Sequence, residues 1–255
     1  MRLAGKVALV TGAARERGIG RGIVLALAEE GCDVAINDVA AEGEGAELAE
    51  LVRGLGRRSL FLPADVSERG GVDALLERVL ADFGALDIVC SNAGVAAWQP
   101  FLEVTAEEWR RQFGVNLTGC FNVCQAAARV FVAAGRGGRI VVTSSVHAEM
   151  PFPEMAVYGA TKGGVRALVE SMAGELTRHG ITVNHIGPGW VQTHINESAL
   201  QTDEDVGQTL ALIPAGRSGE PHELGRAVVY LCSTDADYVS GAFLRVDGGF
   251  IAGKY

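Results

Sequence analysis

Short apolar runs alternate with helix-period segments from one end of the chain to the other, and this alternation constrains the fold more than any single motif. Residues 6–11, 33–38, 58–62, 86–91, 139–144, 181–186 and 242–246 read as strands. Residues 19–30, 40–54, 67–83, 156–179 and 221–232 read as helices, and another long helix is expected from Thr105, an N-cap with Glu108 three residues on. Strands that come singly between helices need crossover connections, which are right-handed and lay the strands parallel. A parallel sheet is buried on both faces, so its strands are nearly continuous apolar runs, as in Val7-Ala8-Leu9-Val10 and Ile140-Val141-Val142. The expectation is an α/β fold: one doubly wound domain over residues 1–255, with a seven-stranded parallel sheet and helices on both faces. The one long irregular stretch, about 189–219, is expected to act as a substrate lid.

Composition bears on partners. The net charge is -9, which argues against nucleic acid or an anionic membrane as the partner. No apolar run has the length of a membrane span, and the first residues lack a signal-peptide layout. Cys32, Cys90, Cys120, Cys124 and Cys232 are odd in number and sit in apolar stretches, so they read as buried free thiols in a reducing cytoplasm. No histidine stands in an HExxH or His/Cys cluster, so no metal site is expected.

In a doubly wound sheet, ligands bind outside the carboxyl ends of the strands. After the first strand comes a glycine loop, Gly12 to Gly18-Ile19-Gly20, whose helix N-terminus suits a pyrophosphate. Arg15 and Arg17 in this loop either reach a 2′-phosphate or stay solvated. Asp38 ends the second strand, where a carboxylate accepts from both ribose hydroxyls and repels a 2′-phosphate, or caps a helix. Asp65-Val66 follows the third strand and either holds an adenine amino group or caps the next helix. Ser91-Asn92-Ala93-Gly94 follows the fourth, with small residues that permit close ligand approach. Ser145 follows the fifth, and Tyr158 and Lys162 share a helix face at i and i+4. A nearby ammonium stabilises a phenolate, so Tyr158 is expected to have a lowered pKa and to serve as a general base.

These residues resemble the short-chain dehydrogenase/reductase family over residues 6–249, including the 13-residue interval from Ser145 to Tyr158, Asn184 before Pro188-Gly189, and Asp247-Gly248-Gly249. The resemblance implies a Rossmann-type NAD(P)-dependent oxidoreductase acting on a small alcohol or ketone. It implies a catalytic set of Asn116, Ser145, Tyr158 and Lys162. Tyr158 would exchange the substrate proton, Ser145 would bond the same oxygen, and Lys162 would bind the nicotinamide ribose. Asn116 would distort its helix and hold a proton-relaying water. The cofactor would lie on Gly12, Arg17, Gly18, Ile19, Asp38, Asp65, Val66, Asn92, Ala93 and Gly94. Its nicotinamide end would meet Tyr158, Lys162, Pro188, Gly189, Val191 and Thr193. Asp38 favours NAD over NADP. A homotetramer built partly on the two long helices is also implied. One departure stands out: five residues separate Gly12 from Gly18, where the family usually has three.

A narrower resemblance is to the glucose 1-dehydrogenase branch, through Ser144-Ser145-Val146-His147, Pro151-Phe152-Pro153, Ile186-Gly187-Pro188-Gly189 and Thr193-His194-Ile195-Asn196. Ala96 stands where that branch has an acidic residue, which argues against glucose itself. A sugar or polyol is the expected substrate, with Trp98, His147, Glu149, Trp190 and His194 as pocket candidates. The alternatives are a 3-oxoacyl or other ketone substrate, and a non-catalytic nucleotide-binding module, against which the four catalytic-type residues speak.

Overall fold

The described residues of the computed structural model are 1–39, 42–193 and 203–254. The strands are β1 (Val7–Thr11), β2 (Asp33–Asp38), β3 (Ser59–Pro63), β4 (Ile88–Ser91), β5 (Gly138–Thr143), β6 (Ile181–Pro188) and β7 (Phe243–Val246). All pair in parallel, in the order β3-β2-β1-β4-β5-β6-β7. The helices are α1 (Ile19–Glu29), α2 (Glu42–Gly54), α3 (Arg69–Phe83), α4 (Ala106–Gln112), α5 (Cys120–Ala134), α6 (Ala156–Leu176), α7 (Asp203–Ala211) and α8 (Pro221–Cys232). This is the doubly wound α/β sheet that the alternation led one to expect, in the Rossmann order that the family resemblance implied.

Strand side chains alternate between two apolar layers. Leu9, Val89 and Ile140 pack with α3, α5 and α6, while Ala8, Val10 and Ile88 pack with α1, α2 and α8. Full burial of a Leu, Ile or Phe such as Leu9, Ile140 or Phe131 contributes about 1.5–3 kcal/mol each. The residues left at the strand ends are therefore free of packing duties and can serve a ligand. All five cysteines are buried and unpaired, as expected.

Several boundaries differ from the sequence reading. The helix expected from Ser67 starts at Arg69, because Asp65 Oδ1 first closes a turn by accepting from Ser67 N and Oγ, at 2.8 and 2.7 Å. β6 runs past Ile186 to Pro188 and pairs with β7 to its end. α6 stops at Leu176 and tightens into a 3-10 turn over Thr177–His179. The helix start expected at Ala40 lies outside the described residues, as do residues 194–202 of the expected lid, while α7 lies within the rest of it. Thr105 does cap α4, accepting from Glu108 N at 3.1 Å. Between α4 and α5, Phe113–Gly119 widens into a π-helix. The continuous run Ala106–Ala134 is, contrary to expectation, long and apolar enough to cross a membrane. Half of its most apolar window is buried inside the protein, where α5 lies against β4, β5 and α3.

Candidate active site

β1 and β4 are neighbours in the sheet, and the chain leaves their carboxyl ends toward opposite halves. Such a switch point opens a crevice. A cleft of about 1030 Å³ lies there, large enough for a dinucleotide and a small second ligand.

The glycine loop forms one wall. Gly12 has φ +61, and a Cβ on it would meet Ala93 Cα at 2.5 Å, so only glycine lets the β1 and β4 ends approach this closely. Asn92 Nδ2 then donates to Thr11 O and Gly12 O, at 3.0 and 2.8 Å, and clamps the two ends together. Asp38 lines the cleft and braces the loop, accepting from Ala14 N at 3.0 Å and Val39 N at 2.8 Å. Asp65 and Val66 line the same side. Arg15 faces this cleft and lies 3.7 Å from Glu44. Arg17 does not: it lines a separate depression with Glu16, Arg21 and His222. Gly18 lines both, so Arg17 stands next to the cleft rather than in its wall.

Beyond Asn92, the opposite wall holds four side chains of catalytic type. Asn116 sits in the π-helix, almost fully buried. Its Oδ1 accepts from Val95 N at 2.8 Å, and its Nδ2 donates to Val95 O at 2.9 Å and Thr161 Oγ1 at 3.0 Å. Asn116 thus lies behind the wall and pins the strand-end run after Gly94 to α6. Thr161 Oγ1 in turn donates to Tyr158 O at 2.8 Å. Lys162 Nζ donates to Thr143 O at 2.9 Å and lies 5.5 Å from the Tyr158 ring centroid. Ser145 Oγ accepts from His147 N at 3.1 Å, which leaves the hydroxyl proton to donate elsewhere.

Burial sets the proton affinities of this pair. It pushes the Tyr158 phenol up to about 12, with a Ser145 hydrogen bond pulling the other way. It pulls the Lys162 ammonium down to about 8. The expected lowering of Tyr158 is therefore not supplied by the protein alone, because desolvation outweighs the stabilising contacts.

Pro188, Gly189, Val191 and Thr193 line the cleft at the end of β6, and Val191 forms an isolated bridge to Gly219. Asn184 stays inside the sheet, donating to Val239 O at 2.8 Å and accepting from Ala242 N at 3.0 Å. Of the pocket candidates, Trp98, His147 and Trp190 line the cleft. The His147 ring meets Phe152 and Tyr158 edge-on, each at 5.7 Å between centroids. Glu149 does not belong with them: it turns away and accepts from Arg166 Nη1 at 2.5 Å and Arg245 Nε at 2.7 Å. His194 lies outside the described residues. Sequence reasoning missed Glu154, Arg111 and Phe250, which also line the cleft. Phe250 directly follows the Asp247-Gly248-Gly249 motif, a signal that could have found it.

The residues present fit a nicotinamide dinucleotide. Gly12 lines the cleft with no side chain where a Cβ would collide with Ala93, an acidic group ends β2, and a buried lysine lines the same cleft. Among the described residues no His/Cys/Asp/Glu group could hold a metal.

Comparison with known proteins agrees. The family model described as Enoyl-(Acyl carrier protein) reductase matches residues 12–251. The chain is 41% identical over 252 residues to 2-dehydro-3-deoxy-D-gluconate 5-dehydrogenase of Escherichia coli K12, covering 98% of this chain and 97% of that one. It is 38% identical over 247 residues to L-rhamnose 1-dehydrogenase (NAD(P)(+)) of Sphingomonas sp. SKA58, covering 97% and 96%. The crystal structure of a gluconate 5-dehydrogenase from Burkholderia cenocepacia J2315, in complex with NADP and tartrate, superposes with a TM-score of 0.92 at 37% identity, covering 98% and 97%. With that fold, that cleft and these relatives, the chain belongs to the short-chain dehydrogenase/reductase family and is an NAD(P)-dependent oxidoreductase acting on CH–OH groups.

Proposed function

We propose that the protein interconverts a secondary alcohol and a ketone, or a hemiacetal and a lactone, on a sugar or sugar acid. The observation that carries this reading is the mixed lining of the cleft, where the polar side chains of Arg111, Ser145, His147, Glu154 and Gln208 stand with the rings of Trp98 and Trp190 in the same cleft as Tyr158. A site with several polar groups suits a hydroxyl-rich ligand, whereas an apolar ketone leaves desolvated polar groups unpaired at about 1–3 kcal/mol each. The names of the two relatives and of the solved gluconate enzyme support a polyhydroxylated substrate. The glucose 1-dehydrogenase-like motifs support the same class, although Ala96 disfavours glucose itself.

In oxidation, the Tyr158 phenolate takes the proton of the reacting hydroxyl while the carbon gives up its hydride. Bound NAD(P) supplies the hydride acceptor and, in its oxidised form, a positive charge. With substrate bound, Ser145 donates its hydroxyl proton to the substrate oxygen and holds it beside Tyr158. Lys162, fixed by Thr143 O, holds positive charge next to the phenol and restores the proton balance from the protein side. Asn116 keeps Val95 and α6 in register so that these groups converge. We assign the preferred dinucleotide as NAD, on the position of Asp38.

The test is a turnover panel of aldoses, aldonic acids, polyols, a 3-oxoacyl thioester and simple ketones with both dinucleotides, followed by absorbance of the reduced nicotinamide. Sugars or sugar acids should give the highest kcat/KM. Tyr158→Phe should lower it by at least ~100-fold with dinucleotide binding retained. A thioester or apolar ketone as best substrate, with no sugar turned over, overturns the substrate reading.

A further inference from the structure

Glu149 leaves the substrate pocket for a different task. It follows directly after the Val146–Ala148 turn, which begins at Ser145. That turn is internally tied: Ser145 Oγ accepts from His147 N at 3.1 Å, and Glu149 N donates to Val146 O at 3.0 Å. The aim of the Ser145 hydroxyl thus depends on where the whole turn is held. Glu149 supplies the charged anchor. One carboxylate oxygen meets Arg166 of α6 at 2.5 Å, and the other meets Arg245 of β7 at 2.6 Å. The Glu149 side chain is only 17% exposed, so water screens these pairs less than at an open surface.

Both partners are themselves seated. Arg166 lies four residues after Lys162 on α6 and eight after Tyr158. Its guanidinium sits over the Phe243 ring at 5.6 Å and pairs with Glu170 at 2.8 Å. Phe243 and Arg245 share a face of β7, because strand side chains alternate. The Phe243 ring packs into β6: it lies 4.6 Å from the buried His185 ring, and a Cβ on Gly187 would stand 2.3 Å from Phe243 Cζ. The anchor therefore joins the Ser145 turn to the helix bearing Tyr158 and Lys162, and to the strand that leads into Pro188-Gly189.

We infer that Glu149 is a positioning residue, whose paired contacts with Arg166 and Arg245 aim the Ser145 hydroxyl at the atom that Tyr158 protonates and deprotonates. This rests on the proposed roles of Ser145 and Tyr158. A misplacement near 1 Å can cost up to ~100-fold in rate. Glu149→Gln keeps the shape and removes the charge.

The test measures kcat, the KM of the sugar and the dissociation constant of NAD for Glu149→Gln, Ser145→Ala and the double variant. Glu149→Gln should lower kcat by ~10-fold and leave NAD binding within about twofold. In the Ser145→Ala background, Glu149→Gln should have no further effect on kcat, since there is no hydroxyl left to aim. A general structural role would lower kcat equally in both backgrounds, and that result overturns the inference, as does an unchanged kcat in the single variant. Should Glu149→Gln fold poorly, Arg245→Met removes one of the two pairs from the more exposed side. It should show the same dependence on Ser145, and equal losses in both backgrounds overturn the inference. If Ser145→Ala itself retains full turnover, the fault lies in the assigned role of Ser145 instead.

Discussion

Lys162 illustrates how a functional residue can work against the fold. Its pKa falls from 10.5 in the unfolded chain to about 8 in the folded one, chiefly by desolvation. Below pH 8 both states carry the charge, and the folded state bears the full cost of burying it. Between pH 8 and 10.5 the unfolded state holds more protons, so stability rises with pH across that window. Near neutrality the cost amounts to about 3 kcal/mol, less what the Thr143 bond returns. Lys162→Met should therefore raise the melting temperature by several degrees at pH 7 while removing turnover. A thermal melt showing a lower Tm for the variant contradicts this balance. Asp38 makes a second residue-scale case, with Arg15 near it in the cleft. Asp38→Ala removes the repulsion felt by a 2′-phosphate, so titration with both dinucleotides should show NADP gaining relative to NAD. Tighter NADP binding by the unaltered protein would mean that Arg15 outweighs Asp38. At this scale the sequence was readable where a signal was local: the small residues of Asn92-Ala93-Gly94, or the Tyr158 and Lys162 spacing. It was misread at Glu149, whose direction is set partly by Arg245, 96 residues further along.

Among the elements, the π-segment is the one that hydrophobic period could not reveal. Apolar positions between Phe113 and Cys124 still recur at helical spacing, and one widened turn shifts them too little to register. Asn116 reached notice only through family resemblance. What accompanies the widening is a set of bonds to Val95, a loop residue 21 positions earlier. Asn116→Ala would leave Val95 N and O without those partners in a part-buried site, at a cost of about 2 kcal/mol. Denaturant titration should show that loss, and kcat should fall because the Gly94–Val95 run lines the cleft. Full stability in this variant would show that the bonds to Val95 contribute little. By contrast, the start of α8 was plain in Pro221-His222-Glu223, and there Glu223 reaches back to accept from Glu220 N at 2.8 Å. A cap of that kind is encoded within four residues.

At the scale of the whole molecule, the alternation of elements made the parallel seven-stranded sheet with helices on both faces legible, but not its strand order, because right-handed crossovers allow more than one doubly wound order. Family resemblance further implies a homotetramer. Trp109, Phe121 and Val132, each more than 40% exposed along α4 and α5, are consistent with a face between copies. Light scattering should give four times the mass of 26.7 kDa, and Phe121→Glu should reduce it. A monomer at micromolar concentration would contradict the tetramer.

The strand order also sets a timetable for synthesis. β1 pairs on one side with β2, Ala8 beside Val34, but on the other side with β4, Ala8 beside Ile88. A ribosome adding about 5–20 residues per second needs on the order of 4–16 s to deliver that second neighbour. Throughout that interval a strand that ends up buried at every position has an open edge. Nascent chains should therefore be most dependent on chaperones after β3 has emerged and before β4 has, and a pause placed in the codons between them should lower the soluble yield.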